Sequence, residues 1–204
     1  MVLGVDFDNT IVCYDPLFHQ LAVERGLIPR QVPPRKNAVR DFLRQQGREA
    51  DWTELQGCVY GARMVEAPPF PGVLDFFIRG RRQGLPLFIL SHKTRLPAAG
   101  PAYDLHQTAL AWLTAQGFFD PARGGLSPDR VRFGATRPEK IGLIRAAGCT
   151  HFIDDLPETF LEETFPPHVG KILFGQHPSP PILSPVKVME NWSQITAYVF
   201  PAGK

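Results

Sequence analysis

The sequence predicts an α/β protein whose parallel sheet, of the Rossmann-like kind, is covered by helices on both faces. Apolar runs of strand length alternate with helix patterns along the 204-residue chain, and this alternation is typical of parallel sheets. Three of the runs end in polar residues, at Asp6, Ser91 and Asp154. Because ligands bind at the carboxyl ends of the strands in such sheets, these positions predict the functional site.

The predicted elements of the α/β core follow in the order that this alternation requires. Apolar residues at helical spacing mark the helices, and glycines close several of them. The predicted strands span residues 2–5, 85–90, 131–133, 152–153 and 171–174, and the predicted helices span residues 72–84, 104–117, 137–148, 157–165 and 192–199.

Between the first two predicted strands lies a segment with helix patterns alone. Three such patterns begin near Asp15, Asn37 and Asp51, and the segment closes in a run of prolines at residues 68–71. The sequence therefore predicts two domains. Residues 1–12 and 70–204 form the α/β core, and residues 13–69 form a small α-helical insertion.

Composition narrows the class of protein. The 22 basic and 20 acidic residues nearly balance, which gives no reason to expect a nucleic-acid polymer or a membrane surface as partner. No apolar run reaches the roughly 20 residues that span a bilayer. Three cysteines, Cys13, Cys58 and Cys149, lack the spacing of a metal site or a disulfide framework. They suit the reducing cytoplasm, which is the expected location.

Two carboxylates and a hydroxyl follow the first predicted strand, at Asp6, Asp8 and Thr10. On extended backbone, residues two apart project the same way, so Asp6 and Asp8 can face one ligand together. Carboxylates that close repel each other unless a cation joins them, and Mg²⁺ prefers carboxylate oxygens beside substrate phosphates. The alternative is that these residues only form a turn or a helix cap.

Three further elements follow in order, and each is a weak signal alone. Ser91 ends the second strand, where a turn residue is the alternative. Lys140 lies in a first helical turn after Pro138, where its charge opposes the helix dipole. A solvated lysine is the alternative, although such local conflicts often mark function. Asp154 and Asp155 close another strand, and their adjacent carboxylates repel each other without a cation.

Together these elements resemble the haloacid dehalogenase (HAD) superfamily of phosphohydrolases. Its four motifs match here as Asp6/Asp8/Thr10, Ser91, Lys140 and Asp154/Asp155. The resemblance covers nearly the whole chain apart from the insertion. It implies an HAD-like core in which the strand of the first motif is central, between the strands of the second and fourth motifs. It also implies that the insertion is a cap that closes over the site.

The resemblance implies a role for each motif residue. Asp6 is the expected nucleophile that forms an aspartyl phosphate, and Asp8 is the expected general acid and base. Thr10 and Ser91 are expected to hydrogen-bond phosphoryl oxygens, and Lys140 to stabilise the charge shared by Asp6 and the phosphoryl group.

The resemblance also implies a Mg²⁺ site. Its expected ligands are Asp6, the backbone carbonyl of Asp8, and the pair Asp154 and Asp155, of which either could bind directly and the other through water. Superfamily members that attack carbon, the dehalogenases, generally lack an acid at the position of Asp8. An acid at this position therefore favours phosphoryl chemistry.

The expected function is that of a Mg²⁺-dependent phosphatase acting on a small phosphorylated metabolite, a sugar phosphate or a nucleotide. Two alternatives stay open: a phosphomutase with the same motifs, and a catalytically idle HAD fold that binds a ligand or a partner. No oligomeric state follows from the sequence.

Four more residues are candidates for substrate binding. His92 and Lys93 follow Ser91 and can line the rim of the site. Arg40 and Arg44 lie one turn apart on a helix of the insertion and can meet a second anionic group of the substrate. For all four, the alternative is a solvated surface position.

Overall fold

The computed structural model describes residues 1–177 and 185–201, which contain a six-stranded sheet. The strands are β1 (Leu3–Val5), β2 (Leu87–His92), β3 (Val131–Gly134), β4 (His151–Asp154), β5 (Gly170–Phe174) and β6 (Val186–Met189). They run in the order β3-β2-β1-β4-β5-β6, and every neighbouring pair is parallel. The predicted α/β class is confirmed, and β1 lies between the strands of the second and fourth motifs.

Strand β6 is the one element of this sheet that the sequence analysis did not predict. It is an edge strand that pairs with β5 alone. Two of its four residues, Lys187 and Val188, are exposed. Since an edge strand has one neighbour, it needs little of the apolar character that identifies the central strands.

Eight α-helices lie in the described part of the chain. They are α1 (Asp15–Glu24), α2 (Lys36–Gln45), α3 (Glu49–Tyr60), α4 (Val73–Arg82), α5 (Leu105–Ala115), α6 (Arg137–Ala146), α7 (Pro157–Leu161) and α8 (Trp192–Val199). Each corresponds to a predicted helix. Helix α7 is shorter than predicted, because Glu162 is extended and the chain then turns to pack Phe165 against Phe160. Within the described ranges, none of the helices is long and apolar enough to cross a membrane.

The chain divides into two compact units. The first comprises Met1–Ile11, Pro69–Lys93 and the chain from Leu113 onward, and it contains the whole sheet. The second comprises Val12–Pro68 and Thr94–Trp112. The second unit thus includes a segment, residues 94–112, that the sequence predicts as part of the core.

Contacts within the second unit account for this additional segment. The indole nitrogen of Trp112 donates a hydrogen bond of 2.9 Å to the carbonyl oxygen of Ala67. Gly61 packs against Tyr103 so closely that a Cβ there would overlap the ring. The sequence holds no signal for this arrangement, because a helix after β2 is what a parallel sheet requires in any case.

Helices cover both faces of the sheet in the first unit. On one face, strands β2, β4 and β5 pack with α6 and α7, and the buried residues there are Leu90, Ile141, Ile144, Cys149, Phe152, Phe160, Phe165, Val169 and Leu173. On the other face, a Cβ at Gly80 of α4 would lie 2.7 Å from Leu87 Cδ1. Phe76 of α4 also packs against Trp192 of α8, with ring centroids 5.0 Å apart.

Close packing around β1 holds the centre of the sheet in register. A Cβ at Gly4 would lie 2.6 Å from the Phe152 ring, so a larger residue would force the two strands apart. Val5 pairs with Ile89 of β2 and with Ile153 of β4. Because all three strands are parallel and in register at this point, the residues that follow them emerge at one edge of the sheet.

Candidate active site

The carboxyl ends of β1, β2 and β4 bring three of the predicted site residues together. Asp6 directly follows β1, and its backbone N–H donates a hydrogen bond of 2.8 Å to the carbonyl oxygen of Ile153. Ser91 lies near the end of β2, and Asp154 is the last residue of β4. All three residues are buried. The site is therefore built on rigid strand ends.

Asp6 lies at the centre of a buried network of polar contacts. The Ser91 hydroxyl donates to Asp6 Oδ1 over 2.9 Å. The Lys140 ammonium donates to Asp6 Oδ1 and to Asp154 Oδ2, each over 2.6 Å. Lys140 is only 2% exposed, so these ion pairs are shielded from the solvent screening that weakens surface pairs.

Burial sets the electrostatics of this network. Removal of Asp6 from water raises the pKa of its carboxyl to about 7, against the opposing attraction of Lys140 and with help from the Asp154 and Asp8 carboxylates. Burial alone would lower the pKa of Lys140, but the Asp154 and Asp6 carboxylates raise it above its ordinary value. Lys140 is therefore held as a cation, and burial makes the ionised form of Asp6 costly.

The start of α6 fixes the position of Lys140. The Thr136 hydroxyl accepts a hydrogen bond from the Glu139 N–H, and the Glu139 carboxylate accepts one from the Ala135 N–H. These two contacts resemble a capping box, although Glu139 accepts from the residue before the N-cap Thr136, and the pattern is visible in the sequence as Thr-x-x-Glu. A Cβ at Gly134, the end of β3, would lie 2.8 Å from the Lys140 backbone nitrogen. Glycine thus lets β3 approach the helix directly.

Asp8 contacts Lys93, for which the sequence predicts a position at the rim of the site. The Lys93 ammonium donates to Asp8 Oδ1 over 2.9 Å and to Oδ2 over 2.8 Å. Lys93 is 4% exposed, whereas 21% of the Asp8 side chain is accessible. Lys93 thus lies beneath Asp8, and Asp8 is the member of the pair nearer to solvent.

A turn after β1 presents Thr10. Asn9 has a left-handed backbone with φ of 57°, a conformation that asparagine tolerates better than most residues. The Trp192 indole nitrogen donates to the Thr10 carbonyl oxygen over 3.0 Å and fixes the turn. The buried Thr10 Oγ1 has no hydrogen-bond partner within the described ranges. A buried hydroxyl that makes no hydrogen bond lowers the stability of the fold, and a bound ligand could supply the missing partner.

Asp6, Asp154 and Asp155 form a group that can hold a metal ion. Each offers a carboxylate oxygen, and these oxygens lie within 4.8 Å of one another. The donors are all hard oxygens, which suits Mg²⁺ or Ca²⁺ better than a thiophilic metal. Besides burial, repulsion by the Asp154 and Asp8 carboxylates raises the pKa of Asp6, and a cation would relieve such repulsion. The residues present therefore fit a divalent cation. The Asp8 carboxylate is not part of this group, and the predicted contribution of its backbone carbonyl stays a prediction.

Three other predicted residues have contacts of their own. His92 is exposed, and its Nε2 lies 3.0 Å from the carbonyl oxygen of Ala135. Arg40 and Arg44 belong to α2 in the second unit, where each pairs with a carboxylate of that unit. Their roles in substrate binding stay predictions.

Comparison with known proteins identifies the fold. No family model matches the chain, and the comparison with curated proteins found no match. A HAD-superfamily hydrolase from Ehrlichia chaffeensis matches 97% of this chain and 95% of its own, with a TM-score of 0.58 and 9% identity.

Two further solved structures support the same conclusion. A HAD family hydrolase from Deinococcus radiodurans R1, solved with bound phosphate and sodium, covers 97% of this chain and 94% of its own, with a TM-score of 0.59 and 16% identity. A dehalogenase covers 99% of this chain and 97% of its own, with a TM-score of 0.50 and 12% identity. The chain therefore has the fold of the HAD-superfamily hydrolases, as the four motifs predicted.

Proposed function

We propose that this protein is a Mg²⁺-dependent phosphatase that hydrolyses a small phosphorylated metabolite through an aspartyl phosphate. One observation carries the proposal. The buried Asp6 carboxylate contacts the Ser91 hydroxyl and the Lys140 ammonium at once, at the ends of the central strands. A nucleophile beside groups that can hold phosphoryl oxygens and stabilise their charge is what phosphoryl transfer requires.

In the first step, a carboxylate oxygen of Asp6 attacks phosphorus and the bond from phosphorus to the leaving oxygen breaks. The protonated Asp8 gives its proton to that oxygen, so an alcohol departs and Asp8 becomes a carboxylate. Ser91 and Thr10 hydrogen-bond the phosphoryl oxygens, and the unpartnered Thr10 hydroxyl gains an acceptor. Lys140 stabilises the negative charge that Asp6 and the phosphoryl group share.

In the second step, water attacks the phosphorus of the aspartyl phosphate. Asp8 takes the proton of the water, the bond between phosphorus and the Asp6 oxygen breaks, and inorganic phosphate is released. Asp6 is again a carboxylate and Asp8 is again protonated, so the cycle closes with water as its only co-reactant.

A divalent cation is part of the proposal. Asp6, Asp154 and Asp155 would hold it, with the Asp8 backbone carbonyl as a further ligand. When bound, Mg²⁺ supplies positive charge for the phosphoryl oxygens and relieves the repulsion between these carboxylates.

Two comparisons bear on the type of reaction. The structural neighbour from Deinococcus radiodurans R1 was solved with bound phosphate, which supports a phosphoryl group as ligand here. Another neighbour is a dehalogenase. An acid at Asp8, held by the Lys93 ammonium, favours the phosphatase, since departure of halide needs no proton donor.

Release of inorganic phosphate from a panel of sugar phosphates, nucleotides and other phosphomonoesters tests the proposal. The assay is run with Mg²⁺, with EDTA, and with Asp6→Asn and Asp75→Asn. Asp75 is an exposed residue of α4 and gives a matched control. We expect phosphate release that EDTA and Asp6→Asn abolish and that Asp75→Asn leaves unchanged.

Other results identify the alternatives. Transfer of phosphate within the substrate, without its release, would indicate a phosphomutase. Halide release from haloacids without phosphate release would indicate a dehalogenase. Tight ligand binding without turnover would indicate an idle binding protein. Each of these results would overturn the proposal.

A further inference from the structure

We infer that Lys93 is a positioning residue: its ammonium orients the acid/base carboxylate of Asp8 for both steps of the reaction. This inference rests on the proposed phosphatase function. It gives Lys93 a different role from the direct substrate contact that the sequence predicted.

The first observation is the burial of a lysine that has a specific anionic partner. Lysine is almost never fully buried unless it is paired, and Lys93 is 4% exposed. Its ammonium contacts both carboxylate oxygens of Asp8, at 2.9 and 2.8 Å. Two contacts to one carboxylate fix its plane as well as its position, which a single contact would not do.

The second observation is that Lys93 is itself held from several sides. Its backbone N–H donates to the Gly134 carbonyl oxygen over 2.9 Å, at the end of β3. Its ammonium lies 5.5 Å from the centre of the Phe7 ring, within the range of a cation–π contact. The anchor of Asp8 is therefore built into the sheet and does not depend on a mobile surface side chain.

The third observation is a repeated pairing between two strand ends. Ser91 contacts Asp6, and Lys93, two residues later, contacts Asp8, two residues after Asp6. The end of β1 thus supplies the nucleophile and the acid/base group, and the end of β2 supplies one hydrogen-bonding partner for each. The arrangement assigns Ser91 and Lys93 parallel tasks.

The pairing matters because the Asp8 side chain is the more exposed of the two and lies near another carboxylate. It is partly accessible, it lies in the loop after β1, and the nearby Asp6 carboxylate repels it. We expect loss of the ammonium to leave that repulsion uncompensated and to displace the Asp8 carboxyl from the leaving oxygen. A misplacement of about 1 Å can cost on the order of 100-fold in rate.

Kinetics of Lys93→Met test the inference, with Lys187→Met as the matched control because Lys187 is exposed on the edge strand β6. We expect Lys93→Met to lower kcat by roughly 10- to 100-fold, with KM close to that of the parent. With nitrophenyl phosphate, whose leaving group needs little acid help, rapid mixing should show a stoichiometric burst of nitrophenolate before slow turnover. The burst marks slow hydrolysis of the aspartyl phosphate.

A double variant separates action through Asp8 from an independent effect. If Lys93 acts through Asp8, then Asp8→Asn with Lys93→Met should turn over no more slowly than Asp8→Asn alone. The double variant leaves no unpaired charge at this position. The comparison therefore decides the matter even if Lys93→Met alone does not fold, which circular dichroism reports.

Three results would overturn the inference while the proposed phosphatase function stands. The first is a raised KM at unchanged kcat in Lys93→Met, which marks direct substrate binding. The second is a Lys93→Met variant with the same rates as the parent. The third is a double variant that turns over more slowly than Asp8→Asn alone. Absence of phosphate release by the parent protein on every substrate is a different failure, that of the proposed function itself.

Discussion

The ammonium of Lys140 lies 2.6 Å from Asp6 Oδ1, in a site where only 2% of the lysine is exposed. The same ammonium lies 2.6 Å from Asp154 Oδ2. Lys140 thus joins two carboxylates that would otherwise face each other in a medium of low polarity. A lysine in this position has both a structural and an electrostatic role, and the two can be measured separately.

Replacement of Lys140 by methionine should abolish activity and destabilise the fold. Removal of one partner of a buried ion pair costs roughly 3–5 kcal/mol, because the remaining charge is left uncompensated. We expect a loss of that size in the free energy of unfolding, measured by urea denaturation in the presence of EDTA. Lys171→Met is the control, since Lys171 is a half-buried lysine of β5 that donates to a backbone carbonyl oxygen. Comparable losses in both variants would argue against a special role for Lys140.

Mg²⁺ should stabilise the folded protein against heat, because the ion joins carboxylates that repel each other. A ligand at about 100 times its dissociation constant stabilises by about 2.7 kcal/mol. We expect a rise in Tm with Mg²⁺ concentration that saturates, measured by differential scanning calorimetry at constant ionic strength. The rise should be smaller in Asp154→Asn and in Asp155→Asn, and smallest in the variant that lacks the direct ligand.

Asp75→Asn serves as the control for the metal experiment, since it removes one exposed carboxylate from the same unit. Its Mg²⁺-dependent rise in Tm should equal that of the parent. Equal rises in all four proteins would mean that the ion binds elsewhere or acts only through ionic strength.

Much of the fold could be predicted, because chain direction fixes where strand ends meet. Once β1, β2 and β4 are parallel neighbours, Asp6, Ser91 and Asp154 must emerge at one edge. The polar residues that end apolar runs were therefore visible in the sequence. Strand β6 was not visible, because an exposed edge strand does not need a distinctive apolar pattern.

The burial and the contact partners of the site residues are harder to predict from the sequence than their identity. His92 and Lys93 are adjacent and the sequence predicts both at the rim, yet His92 is exposed and Lys93 is buried against Asp8. Alternation along a strand predicts that one of the two is buried, but not which partner it meets. The Thr136-x-x-Glu139 capping box could have been recognised from sequence, since its spacing is a known signal of a helix start.

Gly134→Ala should disturb the site without touching a catalytic side chain. A Cβ there would lie 2.8 Å from the Lys140 backbone nitrogen and 2.9 Å from Glu139 Cβ. The start of α6 would have to move, and so would the Gly134 carbonyl oxygen that accepts from the Lys93 N–H. We expect a destabilisation of about 1–3 kcal/mol, as for other overpacked positions, together with a lower kcat.

Gly142→Ala provides the opposite control within the same helix. Gly142 lies inside α6, and a Cβ there would meet no atom within 4 Å. Because alanine favours a helix over glycine, we expect a gain of roughly 0.5–1 kcal/mol and unchanged activity. A loss of kcat in Gly142→Ala as large as that in Gly134→Ala would show that any substitution near α6 lowers activity. The close approach of Gly134 to the Lys140 backbone would then not be the cause.

The guanidinium groups of Arg40 and Arg44 already have anionic partners, and this sets the expectation for their role in binding. Arg40 Nε donates to Asp41 over 2.9 Å, and Arg44 donates to both carboxylate oxygens of Glu49, at 2.7 and 2.9 Å. A second anionic group on a substrate would have to displace these carboxylates. We therefore expect Arg40→Ala and Arg44→Ala to leave KM unchanged, both for nitrophenyl phosphate and for a substrate with a second anion.

Glu49→Gln, which releases Arg44 from its carboxylate, should also leave KM unchanged. A rise of about tenfold in KM for the doubly anionic substrate alone, with a fall in Glu49→Gln, would show instead that Arg44 binds the substrate.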